Sequence, residues 1–124
     1  MTPMDDLYFD YKQAPEGEPP SFPGHPIPLC KVYAFEPAQG LTPEQAKHIL
    51  GAQGSVWQEY ISTGSHAEYM TYPRAAALAE IDWSPKESRD FADFMTRLPA
   101  LDARMDALGV NYRKPHPDDA EQCK

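Results

Sequence analysis

Two short segments of this chain each carry an aromatic residue and a carboxylate at alternate positions, one at residues 8–10 and the other at residues 57–59. In an extended strand alternate residues share a face, so the two members of each pair would point to the same side. Aromatic faces pack on the C–H groups of sugar rings, and carboxylates accept hydrogen bonds from hydroxyls. From the spacing alone, a core aromatic beside a surface or capping carboxylate is the more common arrangement. The candidate sugar-binding residues are Tyr8, Asp10, Trp57 and Glu59.

The first half of the chain supplies the elements that would position these pairs. Residues 7–11 and the second half of residues 49–57 have the apolar and aromatic content of strands. The segment 13–28 between them is rich in Pro and Gly and predicts a long loop. A short apolar stretch follows at residues 31–35. Thr42, followed by Pro43 and Gln45, predicts the capped start of a helix. The apolar side of this helix is expected to continue to Leu50.

The second half of the chain predicts two helical regions. Residues 66–83 have apolar side chains at helical spacing, and Pro73 predicts that the helix begins near Tyr72 or kinks there. Residues 88–108 predict a last helix that is kinked at Pro99 and stopped by Gly109. Five aromatic residues outside the two pairs are expected to serve in packing: Tyr33, Phe35, Trp83, Phe91 and Phe94.

The order strand, loop, helix, strand, helix, helix predicts an α/β fold with parallel strands. Two parallel strands cannot cover their own faces and need further strands beside them. The sequence therefore predicts a piece of a larger fold in residues 1–113, followed by a polar, frayed tail at residues 114–124.

Composition excludes some classes of partner. A net charge of −8 and a pI of about 4.8 disfavour nucleic acid and anionic membrane surfaces. The amino terminus has no basic and apolar segments typical of a signal peptide, and no stretch is long enough to span a membrane. Cys30 and Cys123 could form one disulfide or none, and we expect both to be free. No Cys/His cluster predicts a metal site.

One long segment carries a family resemblance. Residues 49–61, with the sequence ILGAQGSVWQEYI, closely resemble the last barrel strand of glycoside hydrolase family 20 β-N-acetylhexosaminidases. Residues 7–11 look like the seventh strand of that barrel. The resemblance covers nearly the whole chain in order, because further matching segments lie at residues 31–37, 68–74, 77–80, 83–84 and 108–113.

This resemblance implies the last two β/α units of a (β/α)8 TIM barrel, an incomplete barrel fragment. The family removes terminal β-linked N-acetylglucosamine or N-acetylgalactosamine without a metal or organic cofactor. The substrate's own 2-acetamido oxygen attacks the anomeric carbon, while a glutamate acts as acid and then base and a neighbouring aspartate orients the acetamido group. That Asp-Glu pair follows the fourth strand and has no counterpart here, since Asp5-Asp6 is not such a pair. We therefore assign no catalytic residue and expect this chain alone to be inactive.

The resemblance also implies a role for each of the four candidate residues. Tyr8 would donate its hydroxyl to the acetamido oxygen, and Asp10 would bind a hydroxyl toward O4 and O6. Trp57 would form the floor of the sugar pocket, and Glu59 would accept hydrogen bonds from the O3 and O4 hydroxyls. Some relatives place a tryptophan in the loop after the seventh strand, where this chain has Phe22 as its only aromatic.

The expected partners are glycans ending in N-acetylhexosamine and the missing amino-terminal part of the barrel. The parent enzyme is expected to be periplasmic or secreted, although this chain carries no signal peptide. Two other functions stay open: a non-catalytic carbohydrate-binding module, and an interaction module that completes a barrel supplied by another chain. The sequence does not decide between gluco and galacto sugars.

Overall fold

Helices make up the regular secondary structure of residues 1–116, the part of the chain that this computed structural model describes. Most of the predicted tail therefore lies outside the described residues. A 3₁₀ turn at Lys86–Ser88 separates the last two helices. None of the helices is long and apolar enough to cross a membrane, within the described part of the chain. The helices are α1 Met4–Leu7, α2 Leu29–Tyr33, α3 Pro43–Ala46, α4 Gly64–Thr71, α5 Arg74–Trp83 and α6 Phe91–Leu108.

The start of α3 is the capping box that the sequence predicts. The backbone N–H of Gln45 donates to the Thr42 hydroxyl, and the Thr42 N–H donates to the Gln45 side chain at 2.9 Å. The helix is shorter than predicted, because the Ile49 N–H donates to the carbonyl of Ala46 only three residues back. Such tight hydrogen bonds end the α-helical pattern. Leu50, expected on the apolar side, is fully exposed.

Two helix boundaries lie where proline and glycine predict them. The helical region of residues 64–83 is divided at Tyr72–Pro73, a cis peptide bond between α4 and α5. In contrast, α6 continues through Pro99 as one helix. It ends at Gly109, whose left-handed φ of 70° costs a residue without a Cβ atom less than it costs others.

The two predicted strands are reduced to isolated parallel bridges. Phe9 N–H donates to the Ser55 carbonyl at 2.6 Å, and Ser55 N–H donates to the Leu7 carbonyl at 2.9 Å. A second bridge joins Tyr11 and Phe22. The chain bends between the two bridges, because the Tyr11 N–H donates back to the Tyr8 carbonyl at 3.3 Å. The parallel direction agrees with the prediction, whereas the predicted length of the strands, at residues 7–11 and in the second half of residues 49–57, is wrong.

The core lies between the bridged segments and helices α2, α5 and α6. Tyr33 and Phe94 are buried there, and Phe35 and Phe91 pack against it as expected. Trp83 does not, because 91% of its surface is exposed. Its position explains this, since Leu78 and Ile81 face the core three residues apart and Trp83 comes two residues later, on another side of the helix. The buried core residues are Leu7, Phe9, Tyr11, Ile27, Leu29, Val32, Tyr33, Ala77, Leu78, Ile81, Phe94 and Leu98.

The expectation that both cysteines are free is wrong for Cys30. Its sulfur is disulfide-bonded, and the residue is buried. Cys123 lies outside the described residues. Nothing in the spacing of two cysteines 93 positions apart indicates their distance in the fold.

Candidate functional site

One cavity of about 240 Å³ brings all four candidate residues together. Tyr8 and Asp10 line it from one segment, and Trp57 and Glu59 line it from the other. The parallel bridge between Tyr8 and Ser55 explains this convergence, because it fixes the register of the two segments. Each carboxylate lies two residues after its aromatic partner, so the two aromatic residues and the two carboxylates reach the same opening.

The aromatic side of the cavity is formed by Tyr8 and Trp57. Their ring centroids are 6.1 Å apart and their planes are inclined by 52°. Half of the Trp57 surface is exposed, whereas a tryptophan in a packed core would be covered. An exposed indole that lines such a cavity can pack against the C–H face of a sugar ring.

The acidic side combines a buried carboxylate with an exposed one. Asp10 is 3% exposed, and its burial raises the pKa of the carboxyl group, an effect to which the negative charge of Glu59 adds. Within residues 1–116, Asp10 Oδ1 has no hydrogen-bond partner. A buried carboxylate with an unused acceptor is suited to a ligand hydroxyl, and its protonated form could donate instead.

Three further residues line the cavity although the sequence reasoning did not assign them to it. Met4 lies at its edge, and Tyr11 and Phe22 contribute aromatic rings with centroids 5.0 Å apart. Tyr11 would face away in a regular strand, but the bend after Tyr8 turns it toward the cavity. Phe22 thus supplies an aromatic wall from the long loop. The only sequence signal was that Phe22 is the single aromatic of that loop.

Arg74 holds the segment that carries Asp10. Its guanidinium is fully buried and donates to the carbonyls of Phe9 at 2.6 Å, Tyr11 at 2.9 Å and Ile27 at 3.1 Å. Two of these carbonyls flank Asp10, so the hydrogen bonds fix its backbone on both sides. The guanidinium also lies 4.7 Å from the centre of the Phe9 ring. Burial lowers the pKa of Arg74 to about 9.

Gly54 allows the two segments to approach. A Cβ atom at this position would lie 2.5 Å from Cε2 and 2.8 Å from Cζ of Phe9. Both carbons belong to a buried ring that has no room to move, so a side chain here would separate the two halves of the cavity.

Buried polar contacts fix the start of the loop that carries Phe22. Gln13 Nε2 donates to the carbonyl of Tyr69 at 2.6 Å. Glu18 accepts from Arg113 Nε at 2.9 Å and from the hydroxyl of Tyr69 at 3.3 Å. Burial raises the pKa of Tyr69, and the neighbouring charge of Glu18 adds to this effect. These contacts join the loop to α4 and to the segment after α6.

The described residues contain no cluster of three or more His, Cys, Asp or Glu side chains that could hold a metal ion. The chemistry that the cavity itself offers is recognition: two carboxylates that accept hydrogen bonds, and aromatic surfaces that cover apolar ring faces.

Comparison with known proteins assigns this chain to one family. The family model for Glycosyl hydrolase family 20, catalytic domain, matches residues 1–86. The chain is 40% identical over 121 residues to a beta-hexosaminidase of Porphyromonas gingivalis, a match that covers 95% of this chain and 15% of that protein. It is 28% identical over 113 residues to a beta-N-acetylhexosaminidase of Cellulomonas fimi, covering 90% of this chain and 23% of the relative.

Solved structures of similar enzymes superpose on this chain. The exo beta-N-acetylglucosaminidase of Vibrio harveyi, in complex with N-acetylglucosamine, superposes with a TM-score of 0.82 at 39% identity, covering 92% of this chain and 18% of that one. The beta-N-acetylhexosaminidase of Streptomyces coelicolor superposes with a TM-score of 0.77 at 26% identity, covering 92% of this chain and 23% of the other. These neighbours are TIM-barrel enzymes, and this chain spans less than a quarter of the length of each protein named here. The chain belongs to glycosyl hydrolase family 20, with the family's catalytic domain represented over residues 1–86.

Proposed function

We propose that this chain forms the last two β/α units of a β-N-acetylhexosaminidase barrel and contributes the wall that binds the terminal sugar. The sugar is β-linked N-acetylglucosamine or N-acetylgalactosamine at the end of a glycan. The observation that carries the proposal is the single cavity lined by Tyr8, Asp10, Trp57 and Glu59. Family membership supports it, because a relative was solved with N-acetylglucosamine bound.

Each residue has a role that its chemistry allows. The Trp57 ring packs against the apolar face of the sugar and bounds the acetamido pocket. The Tyr8 hydroxyl donates to the acetamido oxygen, which is the internal nucleophile of the reaction. Asp10 and Glu59 accept hydrogen bonds from ring hydroxyls, Asp10 toward O4 and O6 and Glu59 toward O3 and O4.

We also propose that this chain alone does not hydrolyse a glycan. The family's reaction needs an adjacent Asp-Glu pair, and the 124 residues contain none. Binding residues without the general acid stabilise a bound sugar but cannot protonate the leaving group. The purified chain should therefore leave a chromogenic N-acetylglucosaminide intact. Hydrolysis above the background of a mock purification would contradict this part of the proposal.

The two tryptophans of the chain allow a direct binding test. A Trp83→Phe variant removes the exposed tryptophan that lies outside the cavity, so that Trp57 becomes the only indole reporter. Titration with N-acetylglucosamine should change the fluorescence of this variant in a saturable way, with weak affinity because only part of the pocket is present. Glucose, which lacks the acetamido group, should bind more weakly.

Two further variants show where the sugar binds. In the Trp83→Phe background, Glu59→Gln should reduce affinity, because the charged acceptor is lost while the size is kept. Glu44→Gln is the matched control, since Glu44 is an exposed carboxylate of α3 outside the cavity. Unchanged fluorescence at saturating sugar, or equal affinity of both variants, would refute the proposed binding site.

A non-catalytic sugar-binding module is the second candidate, and the same cavity favours it. Such a module would bind N-acetylglucosamine as an isolated, stably folded chain. Cooperative unfolding in urea together with sugar binding would favour the module, whereas binding that appears only with the rest of a barrel would favour the barrel unit.

A further inference from the structure

A second cavity, of about 710 Å³, lies between the segment at the end of α2 and the 3₁₀ turn that follows α5. It shares no lining residue with the sugar cavity. Tyr33 and Phe35 contribute aromatic rings to its lining, and Lys86 and Arg89 contribute positive charges from the segment after α5. Elements of this chain therefore supply both an apolar and a cationic part of the cavity.

The two cations of this cavity share one carboxylate oxygen. Arg89 Nη1 lies 3.3 Å from Glu36 Oε2, and Lys86 Nζ lies 3.5 Å from the same atom. The other oxygen of Glu36 accepts the backbone N–H of Ala38 at 3.3 Å. Charge-assisted hydrogen bonds of good geometry are shorter, about 2.7–2.9 Å, so the carboxylate holds neither cation closely. Glu36, Lys86 and Arg89 are the charged residues of the lining, which leaves an excess of positive charge.

The donors of the two cations are only partly used. Arg89 Nε donates to the carbonyl of Ser84 at 3.0 Å, and Nη1 donates to Glu36. No hydrogen bond is recorded for Arg89 Nη2 within residues 1–116, although this side chain is only 17% exposed. Lys86 is 71% exposed and can move its ammonium group toward a ligand. A half-buried guanidinium with unused N–H donors, beside a mobile ammonium group, favours the binding of an anion.

The acidic residues that neighbour the two cations in sequence do not supply this anion. The carboxylate of Asp90 accepts from the backbone N–H groups of Ala92 and Asp93 at the start of α6. Glu87 lies exposed in the 3₁₀ turn and does not line the cavity. Because the chain carries a net charge of −8, its overall field repels anions, and a local excess of positive charge is needed to hold one.

We propose that this cavity binds a small organic anion. Its phosphate or carboxylate group lies between Lys86 Nζ and Arg89 Nη2, and its apolar body packs against Phe35. A guanidinium and an ammonium group together suit either head group. Glu36 competes with the anion for both cations, so the affinity is set by the difference between the two interactions. The site goes beyond the proposed sugar binding and does not depend on it, because the two cavities are lined by different residues.

Two-dimensional NMR spectra of the full chain locate such binding directly. Phenyl phosphate and benzoate are the anionic probes, and benzyl alcohol, an uncharged molecule with the same ring, is the matched control. Both anions should shift the backbone amide signals of Ala38, Gln39 and Gly40 saturably at millimolar concentration, and added salt should weaken the binding. The probe with the higher affinity identifies the preferred head group. Equal shifts with benzyl alcohol, or no saturable shift at these residues, would overturn the proposal.

Three variants distinguish a binding site from an internal ion pair. Lys86→Gln should weaken anion binding about three- to fivefold, because an exposed cation is lost. Glu36→Gln should strengthen binding by a similar factor, since the competing charge is gone while the side-chain oxygen can still accept from Ala38. Lys47→Gln removes an exposed cation outside the cavity and should leave the affinity unchanged. If Glu36→Gln binds no more tightly than the unchanged chain, or Lys86→Gln behaves as Lys47→Gln does, the cations serve the internal ion pair alone and the proposal fails.

Discussion

Arg74 Nη2 donates to the carbonyl oxygen of Phe9 at 2.6 Å, in the interior of the fold. The charge has no carboxylate among its recorded hydrogen-bond partners in the described residues; backbone carbonyls from three separate segments surround it instead. Hydrogen bonds from a charged donor are stronger than neutral ones, and the geometry of a guanidinium lets one residue tie several carbonyls together. The segment bearing Tyr8 and Asp10 is thereby fixed to α5.

Replacing Arg74 with Met should destabilise the fold by about 3 kcal/mol or more, because several buried carbonyls lose their donor. The urea unfolding midpoint measured by circular dichroism reports this. Arg74→Lys should recover only part of the loss, since an ammonium group cannot span the same carbonyls. The control is Lys47→Gln, which removes an exposed cation of a surface ion pair and should leave the midpoint unchanged. Equal midpoints for Arg74→Met and Lys47→Gln would show that Arg74 does not organise the site.

The close approach of Gly54 to Phe9 predicts a steric effect. Gly54→Ala puts a methyl group 2.5 Å from the ring and should lower the free energy of unfolding by about 1–3 kcal/mol. Gly64→Ala is the matched control, because a Cβ there meets no atom within 4 Å and alanine suits the first turn of α4. Chemical denaturation compares the two variants. A Gly54→Ala protein as stable as the control would mean that the two segments can separate without loss.

Local chemistry made several features of the fold predictable. The capping box at Thr42, the break at Pro73 and the stop at Gly109 depend on neighbouring residues alone. The grouping of Tyr8 and Trp57 was also predictable, because a family resemblance gave the order of the two segments that the Ser55 bridge joins. The cavity thus holds the four residues named from the sequence.

Other features depend on contacts between distant residues and left no local signal. Arg74 lies next to an alanine run, and nothing nearby indicates that it ends among carbonyls of residues 9, 11 and 27. The bend at Phe9–Asp10 that brings Tyr11 into the cavity breaks the alternation expected of a strand. Trp83 was placed in the core by residue type, although its helical position relative to Ile81 turns it outward.

The contact between Glu18 and Arg113, two residues outside the lining of the cavity, predicts a stability effect. The two side chains are 5% and 10% exposed, and removing one charge of a buried pair takes a close partner from the other charge. Glu18→Gln should lower the free energy of unfolding by about 3 kcal/mol. It should also lower the pKa of the Tyr69 phenol, because the nearby negative charge that raises it is gone. Urea unfolding measures the first effect and ultraviolet titration the second. An unchanged phenol titration would place Glu18 away from Tyr69 in solution.

The raised pKa of Asp10 predicts a pH dependence with a definite sign. Burial penalises the ionised form of Asp10, so the folded state binds a proton more readily than the unfolded state does. The free energy of unfolding should therefore fall as pH rises from the ordinary value of 3.8 through the higher pKa of the folded protein. Asp10→Asn should abolish this part of the pH profile and make the fold more stable than the unchanged chain at neutral pH. Chemical denaturation between pH 3 and 8 measures the difference between the two profiles.

The same substitution should act in the opposite direction on sugar binding. Asn keeps the size of Asp10 but loses the charged acceptor, and affinity for N-acetylglucosamine should drop roughly tenfold at neutral pH. Glu59→Gln serves as the companion variant, because it removes a negative charge that raises the pKa of Asp10 and should shift the pH window downward. If Asp10→Asn is more stable but binds the sugar more weakly, the buried carboxylate lowers the free energy of unfolding and increases the affinity for the sugar. If stability instead rises with pH in the unchanged chain relative to Asp10→Asn, the carboxylate is stabilised by ionisation and its proposed role as an unsatisfied acceptor fails.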